Sequence, residues 1–255
     1  MKKLIFITAL FLLTGIVFGQ VLPKGNARDQ SIKPNLIGKE ILDKTIKYHD
    51  PNGLWDTYKG KLFEVTVFAN NNVVKETIEI DKPNDFYLST CFQEFGTLKR
   101  GIDKGQNIFS LNDKQDIPEG IKKNWGISDE GIKYFRELHH SHFGLPMVYK
   151  KSGMIIQDEV KIVDFDGWRC YAVTFIGKTG SIINPIYEGK HILYIDMNNF
   201  SMRGIRWIVN EIDRYVIFAG EVEINGIKIV HVKCAFDKNG NQLSSSTNVP
   251  IPVKN

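Results

Sequence analysis

The segment Lys61–Asp81, "KLFEVTVFANNNVVKETIEID", sets the fold class. Two runs rich in Val, Ile, Phe and Thr alternate with polar residues and are broken by three asparagines. Short alternating runs punctuated by turn residues are what consecutive antiparallel strands look like. The pattern continues downstream as "DFYLSTCFQ" (Asp85–Gln93), "GTLKRGID" (Gly96–Asp103) and "QNIFSLND" (Gln106–Asp113). A second series follows, comprising "DEVKIVDF", "WRCYAVTFIG", "KHILYIDM", "SMRGIRWIVNE", "RYVIFAGEVEI" and "IKIVHVKCAF" between Asp158 and Phe236. Asp166-Gly167 and Asn225-Gly226 are strong hairpin turns. The final "SSSTNVPIPVKN" adds at most a short strand before a tail at 251–255. About ten or eleven strands are expected.

Two helices interrupt this pattern. In "NLIGKEILDKTIKYH", Ile37, Ile41, Thr45 and Tyr48 form a stripe, Asn35 can cap the start and "DPNG" stops it. The second runs from Ser128 to about Phe143, with Ser128 as N-cap, Asp129 and Glu130 in the first turn, and Gly144 and Pro146 beyond its end. The intervening "KQDIPEGIKKNWG" reads as a polar connection.

The N-terminus "MKKLIFITALFLLTGIVFG" has two lysines, an apolar run from Leu4 to Phe18, and small residues at Val17 and Gly19. This is the pattern of a secretory signal peptide over 1–19, cleaved after Gly19. The next residue is Gln20 rather than the cysteine a bacterial lipid anchor requires, so a periplasmic or secreted protein is expected. Residues 20–34 lack periodicity and read as a flexible lead-in. A single domain over 35–250 suits the length that remains. No other apolar run is long enough to span a bilayer, so neither a membrane span nor a lipid anchor is expected, although contact with a membrane surface stays open. Of the 33 basic residues, Lys2 and Lys3 lie in the signal, which leaves 31 against 29 acidic ones. That near-balance argues against nucleic acid as a partner.

The faces of several strands break the one-sided alternation of a sheet with one wet face. Tyr171, Val173 and Phe175 share a face, yet Ala172 and Ile176 lie opposite. Ile205, Trp207 and Val209 share a face, with Ile208 opposite. The sheet therefore looks covered on both sides, and two helices hardly suffice for that. The sheet closes, splits into a sandwich, or curls around an apolar cavity. Periodicity alone does not separate a cavity from a filled core.

Three stretches carry a family resemblance: "YHDPNGLW" (Tyr48–Trp55), "FGLPMVYK" (Phe143–Lys150), and "ILYIDMNNFSMRGIRW" (Ile192–Trp207) followed by "INGIKI" (Ile224–Ile229). They resemble a secreted bacterial family of unknown function placed near the LolA/LolB-like lipoprotein-localisation carriers. The resemblance covers Asn35 to Phe236, and the proline common after Asn-Gly-Ile in the carriers is Lys228 here. It implies an α+β, mostly β protein: one curved antiparallel sheet, an incomplete barrel, with two helices across its open side. It also implies binding of a hydrophobic small molecule or lipid, or of a lipoprotein through its acyl chains. Candidate liners are Phe63, Val65 and Val67, then Phe86, Leu88 and Phe92, and Ile205, Trp207 and Val209, with Phe135, Leu138 and Phe143 as a lid. Which sheet face is concave is not legible.

Three of the six histidines cluster in "HHSH" at His139, His140 and His142. His139 and His142 fall on or beside the buried helix stripe and His140 points away. A metal-dependent hydrolase built on His139 and His142 is the competing reading, because imidazoles three residues apart can share a zinc ion. No carboxylate lies at 140 or 143 to complete the H-E-x-x-H pattern, so packing is the simpler role and no cofactor is expected. A structural module with a filled core is the third reading. Elsewhere "TGS" (Thr179–Ser181) and "SSST" (Ser244–Thr247) lack a nucleophile elbow, and Asp158/Glu159 and Glu221/Glu223 read as solvated strand residues. Cys91, Cys170 and Cys234 have no C-x-x-C spacing and read as buried thiols, with one disulfide as the alternative.

Overall fold

The computed structural model describes residues 35–177 and 185–252. The expected signal peptide, the lead-in and "TGS" lie outside the described residues, as do the last three residues of the tail.

Helix α1 spans Gly38–His49. Its N-cap is Ile37 rather than Asn35, and the Glu40 carboxylate accepts the Ile37 N–H at 3.0 Å, satisfying a backbone donor the helix cannot. Five strands follow: β1 Lys59–Phe68, β2 Val73–Asp81, β3 Phe86–Gln93, β4 Gly96–Asp103 and β5 Gln106–Leu111. The polar connection contains a short helix, α2 Glu119–Trp125, joined through left-handed Gly126 to α3, Asp129–Phe143. Ser128 caps α3 as expected, its hydroxyl accepting Gly131 N–H at 3.1 Å. Then come β6 Ile155–Phe165, β7 Trp168–Ile176, β8 Lys190–Asp196, β9 Met202–Val209, β10 Ile212–Ile224, β11 Ile227–Asp237 and β12 Gln242–Ile251.

The described strands form one antiparallel sheet in the order β5-β4-β3-β2-β1-β12-β11-β10-β9-β8-β7-β6. It is an incomplete barrel: a curved, unclosed sheet with helices over its open side. Strand β12 was expected to be a minor addition. Instead it spans ten residues and pairs with β1 on one side and β11 on the other, joining the five strands β1–β5 to the six strands β6–β11. Twelve strands replace the expected ten or eleven for this reason.

Register separates the two faces without ambiguity, because side chains alternate along each strand. Leu62, Ile78 and Tyr87 share the helix-covered face and pack with Phe143 of α3. The same face continues across β12 to Lys233 and Phe218, and on through Val216, Ile205, Leu193 and Val173, where Ile41 and Leu42 of α1 pack. Ile46 and Val148 touch both apolar clusters and connect them.

The opposite face of the second half carries the extra apolar residues noted above. Of these, Ala172 is buried, Ile208 is half-buried and Ile176 is exposed. Phe165 stacks on Tyr194 at 3.9 Å, and the Arg203 guanidinium lies 3.6 Å over Trp168. Gly204 makes the first stack fit, since a Cβ there would sit 2.5 Å from the Phe165 ring.

A chain ending at Asn241 is expected to lose its cooperative unfolding transition, because β1 and β11 would both become unpaired edges. Thermal denaturation followed by circular dichroism checks this; a sharp transition in the truncated chain would show that the halves hold together without β12.

Candidate functional site: the helix-covered face of the sheet

Under α3, beside the apolar cluster of Leu62, Ile78 and Tyr87, the covered face holds a group of polar side chains. Asn248, Glu64, Glu76 and Cys91 occupy neighbouring register positions on β12, β1, β2 and β3. Glu76 and Arg100 are 7% and 3% exposed, so their charges need partners. His139 of α3 points its Nε2 toward Glu76 Oε1 at 3.5 Å, and its Nδ1 lies 2.7 Å from the Tyr87 hydroxyl. Ser89 donates to Glu76 at 2.7 Å. Arg100 donates to the Trp125 carbonyl at 2.7 Å, lies 3.3 Å over the Phe135 ring, and approaches Glu76 at 4.0 Å. Alongside, Lys233 Nζ donates to Glu64 at 2.6 Å.

Burial works to raise the Glu76 pKa, but His139, Ser89 and Arg100 outweigh it and hold the carboxyl down at about 2. Burial pushes the Cys91 thiol up to about 12, so it is not a nucleophile at neutral pH. None of Cys91, Cys170 and Cys234 is paired in a disulfide; the first two are buried and Cys234 is half-buried.

The histidine cluster divides accordingly. His139 belongs to the polar network. His140 does not point away: it is half-buried against the Tyr87 edge, and burial lowers its pKa to about 3. His142 is also driven neutral by burial, with Lys233 adding to the effect. Among the described residues no group of three or more His, Cys, Asp or Glu side chains could hold a metal ion. His49 and His191 lie on other elements. His49 donates Nδ1–H to the Lys228 carbonyl at 3.0 Å and accepts the Met202 N–H at Nε2, fixing a neutral tautomer. His191 donates Nε2–H to the Glu188 carbonyl at 3.0 Å, so its Nδ1 accepts from the Tyr149 hydroxyl at 2.7 Å.

Over β7–β10 the covered face is apolar. Trp207 meets His191 edge-on, and Phe175 lies 4.3 Å from Tyr149. Of the residues singled out from sequence, Ile205, Trp207 and Val209 are on this face. Phe143 is buried against the sheet, Phe135 packs on Arg100, and Leu138 is half-buried. The structure does not bring the others to them. Phe63, Val65 and Val67 alternate with Leu62, and Phe86, Leu88 and Phe92 alternate with Tyr87, which puts all six on the opposite, convex face. Val67 and Phe92 are about 40% exposed there. Alternation alone gave no sign of which side the helices cover. Sequence reading missed the Glu64–Lys233 and Glu76–His139–Arg100 contacts; inward charges on otherwise apolar strands were the available signal. Glu221, expected in solvent, is half-buried and accepts the Tyr48 hydroxyl at 3.0 Å.

This architecture defines an incomplete-barrel protein with helices over a part-apolar, part-polar inner face. The chain belongs to the family of unknown function DUF6503, matched over residues 31–249. No curated protein matches it. Among solved structures it is similar to a LolA superfamily protein from Nitrosomonas europaea, with 12% identity over 86% of this chain and 94% of that one at a TM-score of 0.49. A domain from Vibrio parahaemolyticus described as an outer membrane lipoprotein-sorting protein is 9% identical over 83% of this chain and 91% of its own, at 0.45. A DUF1329 family protein from Desulfovibrio piger is 9% identical over 83% and 90%, at 0.40.

Two acid-sensitive elements follow. Glu76 contributes stability above its unfolded pKa of about 4.5, and that contribution disappears as pH falls through about 2. Glu76→Gln should cost roughly 3 kcal/mol at neutral pH by stranding Arg100, and should flatten the stability loss below pH 4.5. Burial holds His191 down at about 4 from an ordinary 6.5, so protonation favours the unfolded chain as pH falls from 6.5 to 4. In His191→Gln the loss over that upper window should shrink. Urea titrations at stepped pH read both effects, and an unchanged profile in either variant would contradict its assignment.

Proposed function

We propose that this chain binds an apolar ligand, a lipid or the acyl chains of a lipoprotein, between the curved sheet and its helices, and acts as an exported carrier without catalytic chemistry. The carrying observation is a set of inward-facing apolar side chains, Trp207, Val209, Val222 and Ile156, that the helices leave only half-buried. Apolar surface facing inward yet incompletely covered gains roughly 25 cal/mol per Å² when a ligand removes it from water. Ile205, Trp207 and Val209 supply the floor in this proposal, while Phe135 and Phe143 anchor α3 over the neighbouring part of the same face. The six convex-face residues have no part in it. The charged side chains near α3 are committed to one another rather than poised over an open reaction site.

Export rests on the N-terminal sequence, with its two lysines, apolar run and small residues before Gln20. Among the described residues no helix is long and apolar enough to cross a membrane.

Native mass spectrometry of the mature protein, purified without detergent and followed by solvent extraction, tests the proposal. A reproducible lipid adduct is expected, and Trp207→Ala should weaken rebinding of that lipid roughly tenfold. A bare polypeptide mass with no uptake of added fatty acid or monoacylglycerol would overturn it.

A further inference from the structure

The inner face changes character at one register position. Phe218 on β10 is the direct cross-strand partner of Lys233 on β11, and Lys233 in turn is opposite Ser246 on β12. On one side lie Phe218, Val216 and Ile205; on the other lie Lys233, Glu64 and Asn248. The floor is thus amphiphilic, with a sharp step between its two parts.

We infer that the ligand is an amphiphile whose neutral, hydrogen-bonding head group, a hydroxyl or amide, sits at the Lys233–Glu64–Asn248 step while its chain runs over Phe218 toward Trp207. The inference rests on the apolar-ligand reading above. Two independent observations point to the head group. Asn248 is 1% exposed and donates Nδ2 to the Val230 carbonyl at 2.8 Å, which fixes its amide orientation and leaves Oδ1 buried without a partner. A buried acceptor of this kind costs free energy until a donor reaches it. A ligand hydroxyl or N–H supplies that donor; a carboxylate or phosphodiester has none. The second observation is charge balance. Lys233 is neutralised by Glu64 at 2.6 Å, and Glu76 is shared by His139 at 3.5 Å and Arg100 at 4.0 Å, so among the described residues the Lys and Arg at the step already face carboxylates. Inserting an ionised head would desolvate a further anion beside these pairs, with neither Lys233 nor Arg100 free as its counter-ion.

The test is competition for Nile red bound to the mature protein, with 1-monolauroylglycerol and laurate at pH 8 as competitors of equal chain length. The expected result is at least about tenfold tighter binding of monolauroylglycerol, and a loss of about tenfold for that ligand in Asn248→Leu with laurate nearly unaffected. Equal or tighter laurate binding would overturn the head-group inference while leaving the chain-binding reading intact. So would an Asn248→Leu variant that binds both competitors like the parent. Failure of every probe to bind would overturn both. The comparison of the two competitors on the unsubstituted protein decides the matter even if Asn248→Leu does not fold.

Discussion

The structure depends on how β12 is held at the centre of the sheet. Within the strand pairing of the described residues, this strand alone joins the half built by β1–β5 to the half built by β6–β11. Its inward side chains are Ser244, Ser246, Asn248 and Pro250, which offer little apolar area to pack. The backbone ladder to β1 and β11 supplies the join, and the Lys233–Glu64 pair spans the strand from above, from β11 to β1, at 2.6 Å. Once a helix covers this region the polar groups must satisfy one another, because an unpaired buried charge is strongly destabilising. The satisfied arrangement in turn dictates where α3 lies: His139 can reach Glu76 and Tyr87 from only one register of the helix on the sheet.

Histidines serve the same purpose elsewhere. His49 at the end of α1 binds a carbonyl of β11 and an N–H of β9, tying the helix to two strands at once. The Tyr149–His191 contact ties the turn after α3 to β8. Apolar packing supplies most of the driving force, but it is non-directional. These single-geometry hydrogen bonds fix the position of each covering element over the curved sheet. The result is an inner face that is apolar beneath α1 and carries a buried polar group beside an apolar cluster beneath α3, with the half-buried Trp207 on the α1 side.

Much of the fold is legible in the sequence. The Asp166-Gly167 and Asn225-Gly226 turns carry positive φ at all four residues, which these residue types tolerate, and the alternation from Lys61 onward marks the first five strands correctly. Strand β12 is harder to see because "SSSTNVP" has the composition of a loop; its strand conformation comes from the two neighbours it pairs with, a tertiary cause. The short α2 is hidden for a similar reason, being polar and only seven residues long. The site is less legible than the fold. A period of two says that Phe63 and Leu62 face opposite ways but not which of them the helices cover. That depends on the direction in which the sheet curves, a property of all the strands together.

The most direct test of the central claim is nuclear magnetic resonance of the four tryptophan indoles, with a monoacylglycerol carrying a nitroxide midway along its chain. Trp207 is on the helix-covered apolar face, whereas Trp168 is 45% exposed under Arg203 at a hairpin tip. Ligand binding under the helices predicts strong broadening of the Trp207 signal at stoichiometric probe, with Trp168 left sharp. Broadening of Trp168, or of the Phe63 and Phe92 rings on the convex face, with Trp207 unaffected, would contradict it.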